Sequence, residues 1–335
     1  MKIIKRVCII IILVVAGLWG IRTYNARRFN VEKETRFMMD TYVTIYAVGP
    51  KEITSKAIGL ALDRMQEIDV KFNSLNPKSQ IYAFNENGKS ITDPEILELV
   101  ALALQVSRDT GGAFDITVAP LVELWGFYSK EYYLPKEQEI KDCLTKVGYE
   151  HLVLKNGRLD RDLPGVKIDL GGIAKGYALS EAVKVLKAQG VTSALIDDGG
   201  DVYALGKKGR KLWKVGIKDP RGEGVLGYVE VEDLAVMGSG DYERFFIKDG
   251  KRYHHIFNPK TGYPTEGVMS VTLISADPQF AQILAKAPFV LGLDKGMKMI
   301  EKIPGMEAVV ITASGERVYS SGLKHILKVI PEEKQ

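Results

Sequence analysis

One stretch of the sequence constrains the fold more than any other: residues 167–176, which read KIDLGGIAKG. Apolar residues follow it at three- and four-residue spacing from Ala178 to Leu186, and Gly190 ends the pattern. The stretch therefore predicts the end of a strand, a tight turn at the paired glycines and the start of a helix.

This turn also predicts a ligand site. Paired glycines let a ligand approach the backbone closely, and the first turn of a helix offers unpaired N–H groups. Asp169 leads into the turn and Lys175 lies in the first helical turn, so a carboxylate and an ammonium would face the same small volume. The glycine spacing matches neither a Walker loop nor a dinucleotide fingerprint. An ordinary strand–helix connection, with a glycine for packing, remains the alternative at this point.

The N-terminal segment predicts a link to a membrane. Residues 7–21 are uncharged and apolar, with basic residues on both sides. Fifteen residues are few for a membrane span and suit a secretory signal, but the small-residue cleavage pattern is poor. We therefore favour an uncleaved signal-anchor, with a cleaved signal peptide as the alternative. We expect residues 1–28 to form this segment and its stalk, and residues 29–335 to form one domain outside the cytoplasmic membrane.

The charge of the chain is unevenly distributed. The net charge is +4, but six basic residues precede the first acidic residue, and removing them leaves −2 for residues 29–335. Nothing in this charge balance indicates nucleic-acid binding by the body of the protein, because the basic excess belongs to the N-terminal segment. The two cysteines, Cys8 and Cys143, provide neither a disulfide framework nor a metal site.

Helical and strand patterns alternate along the chain without strict βαβ order, so we expect an α+β fold with largely antiparallel sheets and packed helices. Helices are predicted at about 52–72, 93–110, 136–147, 174–190, 278–287 and 294–302. Strands are predicted at 37–47, in a hairpin over 151–169, at 193–197, 213–218, 227–231, 235–239, 245–248 and 268–274, and in a last pair near the C-terminus. Residues 22–35 are predicted to be a polar stalk.

Five segments taken together resemble the ApbE family of flavin transferases. They are GGAFDITVAPLVELWGF (111–127), KIDLGGIAKGYA (167–178), SGDYERFF (239–246), HHIFNPKTGYP (254–264) and FVLGLDKG (289–296). Each is weak alone, but five in the family's order are specific, and the resemblance runs from about Phe37 to Gly322. It implies an α+β body with a deep flavin cleft. It also implies a reaction that moves FMN from FAD onto a Ser or Thr hydroxyl of an acceptor protein, with release of AMP.

The resemblance also implies roles for individual residues. His255 is a candidate for taking the proton of the acceptor hydroxyl. Gly172 occupies the position whose backbone carbonyl helps to hold Mg²⁺. The residues expected to contact FAD are Met39, Ala113, Phe114, Asp115, Asp169, Lys175, Ser239, Tyr242 and Ile256.

The sequence departs from the family at the remaining metal ligands. The resemblance implies an Asp and, four residues later, a Thr, but this chain has Gln282 and Lys286 there. A neutral amide is a weak Mg²⁺ ligand, and a protonated lysine cannot ligate. We therefore expect Lys286 to act as a tethered cation in place of part of the metal charge. Asp277 is a poor substitute, and Leu75 and Asn258 are lesser departures.

Two other functions remain open from the sequence. One is an FAD-binding protein, redox-active or non-catalytic, that has lost metal-dependent transfer. The other is an FAD pyrophosphatase that yields free FMN and AMP.

Overall fold

The computed structural model describes residues 30–329, which form an α+β fold around a large antiparallel sheet. The strands are β1 (Val31–Met38), β2 (Thr41–Val48), β3 (Leu152–Lys155), β4 (Arg158–Arg161), β5 (Ala194–Asp198), β6 (Asp201–Leu205), β7 (Trp213–Lys218), β8 (Val225–Val231), β9 (Leu234–Gly240), β10 (Phe245–Lys248), β11 (Lys251–His254), β12 (Val268–Ser275), β13 (Glu307–Thr312), β14 (Arg317–Tyr319) and β15 (Leu327–Val329). The helices are α1 (Lys51–Phe72), α2 (Gln80–Asn87), α3 (Pro94–Asp109), α4 (Ala119–Leu124), α5 (Glu137–Leu144), α6 (Ala174–Ala188), α7 (Pro278–Leu284), α8 (Ala287–Leu291) and α9 (Leu293–Ile300), with short 3₁₀ turns at Ile116–Val118, Tyr149–His151 and Ser321–His325.

The large sheet has eight strands in the order β1-β2-β5-β6-β9-β12-β13-β14, and each neighbouring pair is antiparallel. A second sheet has the order β15-β8-β7, and β3-β4 and β10-β11 form separate hairpins. The predicted α+β class with largely antiparallel sheets is confirmed.

The two faces of the large sheet pack against different layers. Successive side chains of β9 alternate between the faces: Ala235 and Met237 join the helix-side core, whereas Val236 packs toward the three-stranded sheet. Helices α1, α3, α6 and α7 contribute to the first core, and Trp213 of β7 contributes to the second. The fold is therefore a layer of helices, the large sheet and a small sheet.

A third apolar cluster supports the β10–β11 hairpin. The fully buried ring of Trp125 is its centre, and Phe246, Tyr253 and Phe257 lie within 6.4 Å of it, centroid to centroid. The indole N–H donates to the carbonyl of Gly262 at 3.1 Å. This cluster holds the hairpin beside the large sheet, and the segment that contains His255 follows directly from it.

The prediction for the first strand was wrong. Residues 37–47 do not form one strand, because Met39 and Asp40 both have positive φ (52° and 59°) and make a two-residue hairpin turn. Strand β1 begins at Val31, within the segment predicted to be a stalk. Neither turn residue is a glycine, and Met-Asp is not one of the dipeptides that typically mark a two-residue hairpin turn.

Two other predictions need correction. Residues 166–170 are not a strand: Ile168 exchanges hydrogen bonds with the side chain of Asn85, and Asp169 N–H donates to the carbonyl of Ile116. The helix predicted at 278–287 is split: α7 ends at Leu284, and α8 begins at Ala287 with Pro288 in its first turn. Helices α2 and α4 were not predicted.

The predicted membrane segment, residues 7–21, lies outside the described residues. Among residues 30–329, no helix has the length and apolar character needed to cross a bilayer.

Candidate active site

A deep cleft of about 1060 Å³ opens beside the glycine turn and brings the predicted site residues together. All thirteen line it: Met39, Ala113, Phe114, Asp115, Asp169, Gly172, Lys175, Ser239, Tyr242, His255, Ile256, Gln282 and Lys286. They come from nearly the whole length of the described chain. The fold therefore gathers them around one cleft.

Two hydrogen bonds fix the carboxylate of Asp169 at the turn. Its Oδ1 accepts from the N–H of Gly171 at 2.7 Å, and its Oδ2 accepts from the hydroxyl of Tyr128 at 2.7 Å. Burial of the phenol, together with the negative charge of Asp169, raises the pKa of Tyr128 well above its ordinary value. Tyr128 is thus a neutral donor that orients Asp169.

Helix α7 packs directly on the start of α6. A Cβ at Gly176 would lie 2.4 Å from the carbonyl oxygen of Pro278, so only glycine allows this approach. The buried side chain of Gln282 joins the two elements: its Oε1 accepts from Gly176 N–H at 2.8 Å, and its Nε2 donates to Gly171 O at 3.2 Å. Gln282 therefore fixes α7 on the glycine turn.

These contacts test whether the site suits Mg²⁺, and they do not fit it. The side chain of Gln282 directs its N–H group toward the carbonyl of Gly171. Mg²⁺ binds oxygen ligands, and an N–H group is not one. The ammonium of Lys286 lies one turn further and donates to Gln282 O at 2.9 Å. Among residues 30–329, no group of three or more His, Cys, Asp or Glu side chains could hold a metal ion. The described residues at this position therefore do not form a Mg²⁺ site.

Lys175 lies between two buried carboxylates, one at the end of β5 and one at the start of β6. Its Nζ is 3.6 Å from Asp198 Oδ1 and 3.7 Å from Asp201 Oδ2, and it donates to the backbone carbonyl of Asp198 at 3.2 Å. Asp198 is fully buried, and neither carboxylate oxygen accepts a hydrogen bond from residues 30–329. Burial raises the pKa of Asp198 to about 7, although the charge of Lys175 opposes the shift.

Glu243 adds a third acidic group to this side of the cleft. Its side chain is open to the cleft, yet the surrounding protein and the charge of Asp201 raise the pKa of Glu243 to about 7. Lys286 and Lys175 oppose that shift. The region next to the glycine turn thus combines the ammonium groups of Lys175 and Lys286 with acidic side chains whose pKa values are raised.

The two adjacent histidines have different surroundings. His254 is buried, and its Nε2 lies 2.8 Å from the carbonyl of Thr265, so it is a structural group. His255 lines the cleft, and its Nδ1 lies 3.2 Å from the carbonyl of Arg244. Burial and the charge of Arg244 lower the pKa of His255 to about 3, so its ring is neutral at physiological pH.

Asp115 and Met39 belong to the cleft wall in different ways. The carboxylate of Asp115 accepts from Thr117 N–H and Oγ1–H and from Tyr149 N–H, so it shapes the wall by fixing the backbone. Met39 N–H donates to Asp69 Oδ2 at 3.1 Å, which ties the β1–β2 turn to the end of α1.

Sequence reasoning missed several groups that the structure places in the cleft. Asp201, Glu243 and Tyr128 line the cleft but were not selected as site residues, and neither was Asp198, which is buried beside Lys175. Two of these four, Glu243 and Tyr128, lie within or beside the recognised segments. Adjacency to those segments was the available signal. Asp69 had none, because only the tertiary fold brings it to Met39.

The fold and site define an α+β protein with a deep, mixed polar and apolar cleft, a common arrangement for binding a large organic ligand. The sequence profile of the ApbE family matches residues 39–310, and the chain belongs to that family.

Named relatives and solved structures agree with this assignment. A Treponema pallidum protein named FAD:protein FMN transferase is 31% identical over 310 residues, which are 86% of each chain. The crystal structure of the ApbE protein from Thermotoga maritima has a TM-score of 0.83 and 36% identity, and the match covers 88% of this chain and 99% of that one. The apo flavinyl transferase ApbE of Pseudomonas stutzeri has a TM-score of 0.78 and 30% identity, covering 89% and 96%.

Proposed function

We propose that this protein is an FAD:protein FMN transferase. The observation that carries the proposal is the cleft itself: it joins the fixed glycine turn, two lysines and a neutral histidine in one volume, within a fold shared with flavin transferases. Backbone N–H groups and ammonium groups suit a pyrophosphate, and the apolar side chains of Met39 and Ile256 suit a flavin or an adenine ring.

The reaction is an attack of the acceptor hydroxyl on a phosphorus of FAD. The hydroxyl oxygen bonds to the phosphorus of the FMN half, and the bond from that phosphorus to the oxygen bridging to AMP breaks. AMP leaves with the bridging oxygen, and the hydroxyl proton passes to a base. We propose that the acceptor residue is a serine or a threonine of a partner protein.

His255 is the group that we propose as this base. If Nδ1–H donates to the carbonyl of Arg244, Nε2 keeps a lone pair that can accept a proton. The ring is neutral, and therefore competent to accept the proton, over the whole physiological range. The negative charge of bound FAD would stabilise the imidazolium that forms.

The test is incubation of the protein with FAD and a peptide that carries a Ser/Thr flavinylation site, in EDTA and in Mg²⁺. A mass gain equal to FMN on the peptide, absent when its Ser or Thr is replaced by Ala, is the expected result. Release of free FMN would show an FAD pyrophosphatase instead. Intact FAD would show a flavin-binding protein without this activity.

We also propose that residues 7–21 anchor the protein in the cell membrane, with the domain on the extracytoplasmic side. The basis is the apolar segment flanked by basic residues. Retention in membranes after carbonate washing, and digestion of the domain by protease added from outside, are expected. A freely soluble protein that begins after residue 20 would indicate cleavage.

A further inference from the structure

Lys286 places an ammonium group in the cleft beside the glycine turn. It lies between α7 and α8, and its side chain is only partly exposed. Its Nζ donates to the carbonyl of Gln282 at 2.9 Å, and the side chain of Gln282 in turn bonds to Gly171 and Gly176. The lysine is therefore attached to the same rigid unit as the turn and does not extend into bulk solvent.

The charges around Lys286 come from several elements. Asp201 of β6 and Glu243, just before β10, are the acidic groups that act on it, and Lys175 of α6 is the basic one. Lys175 is held by two carboxylates, Asp198 and Asp201. For Lys286 the nearest acceptor is a neutral carbonyl, so among residues 30–329 the ammonium makes no direct ion pair and retains N–H donors for a ligand.

We propose that the ammonium of Lys286 binds the pyrophosphate of FAD as a tethered cation, so that this protein holds FAD without a divalent metal ion. The inference rests on the proposed function only in taking the cleft as the FAD site. It also accounts for the presence of Gln282 at this position. Its amide braces the glycine turn, and without a metal ion no oxygen ligand is needed there.

An ammonium on a braced helix end supplies a positive charge and N–H donors without the cost of removing water from Mg²⁺. Burial lowers the pKa of Lys286, and the negative pyrophosphate acts in the opposite direction by favouring the charged form. FAD and Lys286 therefore stabilise one another's charge when FAD binds.

The first experiment measures FAD affinity by calorimetry in EDTA and in Mg²⁺. For the native protein we expect the same Kd for FAD within about twofold in both buffers, because the ammonium of Lys286 already supplies a positive charge beside the pyrophosphate. Lys286→Gln should weaken FAD binding at least about tenfold in EDTA, and Lys286→Arg should retain most of it. Lys295→Gln removes the same charge from the exposed face of α9 and should leave the Kd unchanged.

Riboflavin, which lacks the pyrophosphate, controls for the integrity of the cleft. Its affinity should be the same in the native protein and in Lys286→Gln. If Lys286→Gln no longer binds riboflavin, its cleft is damaged and its FAD affinity is not used. The inference is then tested by the FAD affinity of Lys286→Arg and by the effect of Mg²⁺ on FAD binding to the native protein.

A double substitution tests the exchange of lysine for metal directly. Gln282→Asp with Lys286→Thr restores oxygen ligands, so FAD binding should become about tenfold tighter in Mg²⁺ than in EDTA. Direct titration of Mg²⁺ into the FAD complex should give binding heat for the double variant and none for the native protein.

Either of two results would overturn the inference: native binding that tightens tenfold or more with Mg²⁺, or unchanged FAD affinity in Lys286→Gln. Failure of FMN transfer to a peptide, with metal-independent FAD binding intact, would instead contradict only the proposed function.

Discussion

The side-chain amide of Gln282 donates to the carbonyl oxygen of Gly171 across 3.2 Å, and through this contact helix α7 braces the glycine turn at the cleft. The same amide accepts from the N–H of Gly176 at 2.8 Å. Both partners belong to the segment that most strongly predicted a ligand site. The residue that replaces an expected metal ligand is thus a structural link between two helices.

This link predicts a stability cost for Gln282→Leu. The substitution leaves a buried N–H and a carbonyl without a partner, so the free energy of unfolding should fall by about 1–3 kcal/mol. Gln279→Leu on the same helix is the control, because Gln279 is only partly buried and makes one long contact, 3.4 Å, with Ser180. Equal denaturation midpoints for Gln282→Leu and the native protein would contradict the bracing role.

The β1–β2 turn predicts a substitution that stabilises the protein. Asp40 adopts φ of 59°, a conformation that glycine reaches without strain, so Asp40→Gly should raise the free energy of unfolding by up to about 1 kcal/mol. Glu98→Gly, at an exposed position inside α3, should lower it by about 1 kcal/mol. Chemical denaturation of both variants checks the pair; destabilisation by Asp40→Gly would mean that the carboxylate, and not the backbone, governs the turn.

These cases show which features the sequence could predict. Helix α3 was predicted correctly because its start is encoded locally: Asp93 accepts from the N–H groups of Glu95 and Ile96, and Pro94 follows it. The hairpin at Met39 and Asp40 was missed because its turn conformation depends on the surrounding fold and not on glycine.

The site was predictable to the extent that it lies in recognisable segments. The glycine turn and its helix appear in the sequence as a local pattern. The extended stretch before the turn was misread as a strand because its partners, Asn85 and Ile116, are distant in sequence. The burial of Asp198 was equally invisible, since it arises from the packing of β5 and β6 around Lys175.

The protonation of His255 gives a third prediction. Because burial and Arg244 lower the pKa of His255 to about 3, its ring should remain neutral from pH 5 to pH 9 in the FAD-free protein. Histidine ¹⁵N NMR, with the signal assigned by its loss in His255→Gln, checks this. Titration of this signal near pH 6.5 would show that the imidazolium is better tolerated in the cleft than its surroundings imply.

Asp198 gives the last prediction, on stability as a function of pH. Its folded pKa of about 7 lies above its ordinary value of 3.8 because burial disfavours the carboxylate, so the folded state binds the extra proton. Its contribution to stability is therefore fully present below about pH 4 and is lost as pH rises through about 7.

Asp198→Asn removes this titration while keeping the size of the side chain. The variant should be more stable than the native protein at pH 8, by about 1–3 kcal/mol, and the difference should shrink towards pH 5. Asp160→Asn is a control of opposite sign, because the hydrogen bond from Arg158 lowers the pKa of Asp160 and makes its carboxylate stabilising at neutral pH. Urea denaturation at pH 5 and pH 8 measures both variants. If Asp198→Asn proved less stable than the native protein at pH 8, the attraction between the Asp198 carboxylate and Lys175 would outweigh the cost of its burial.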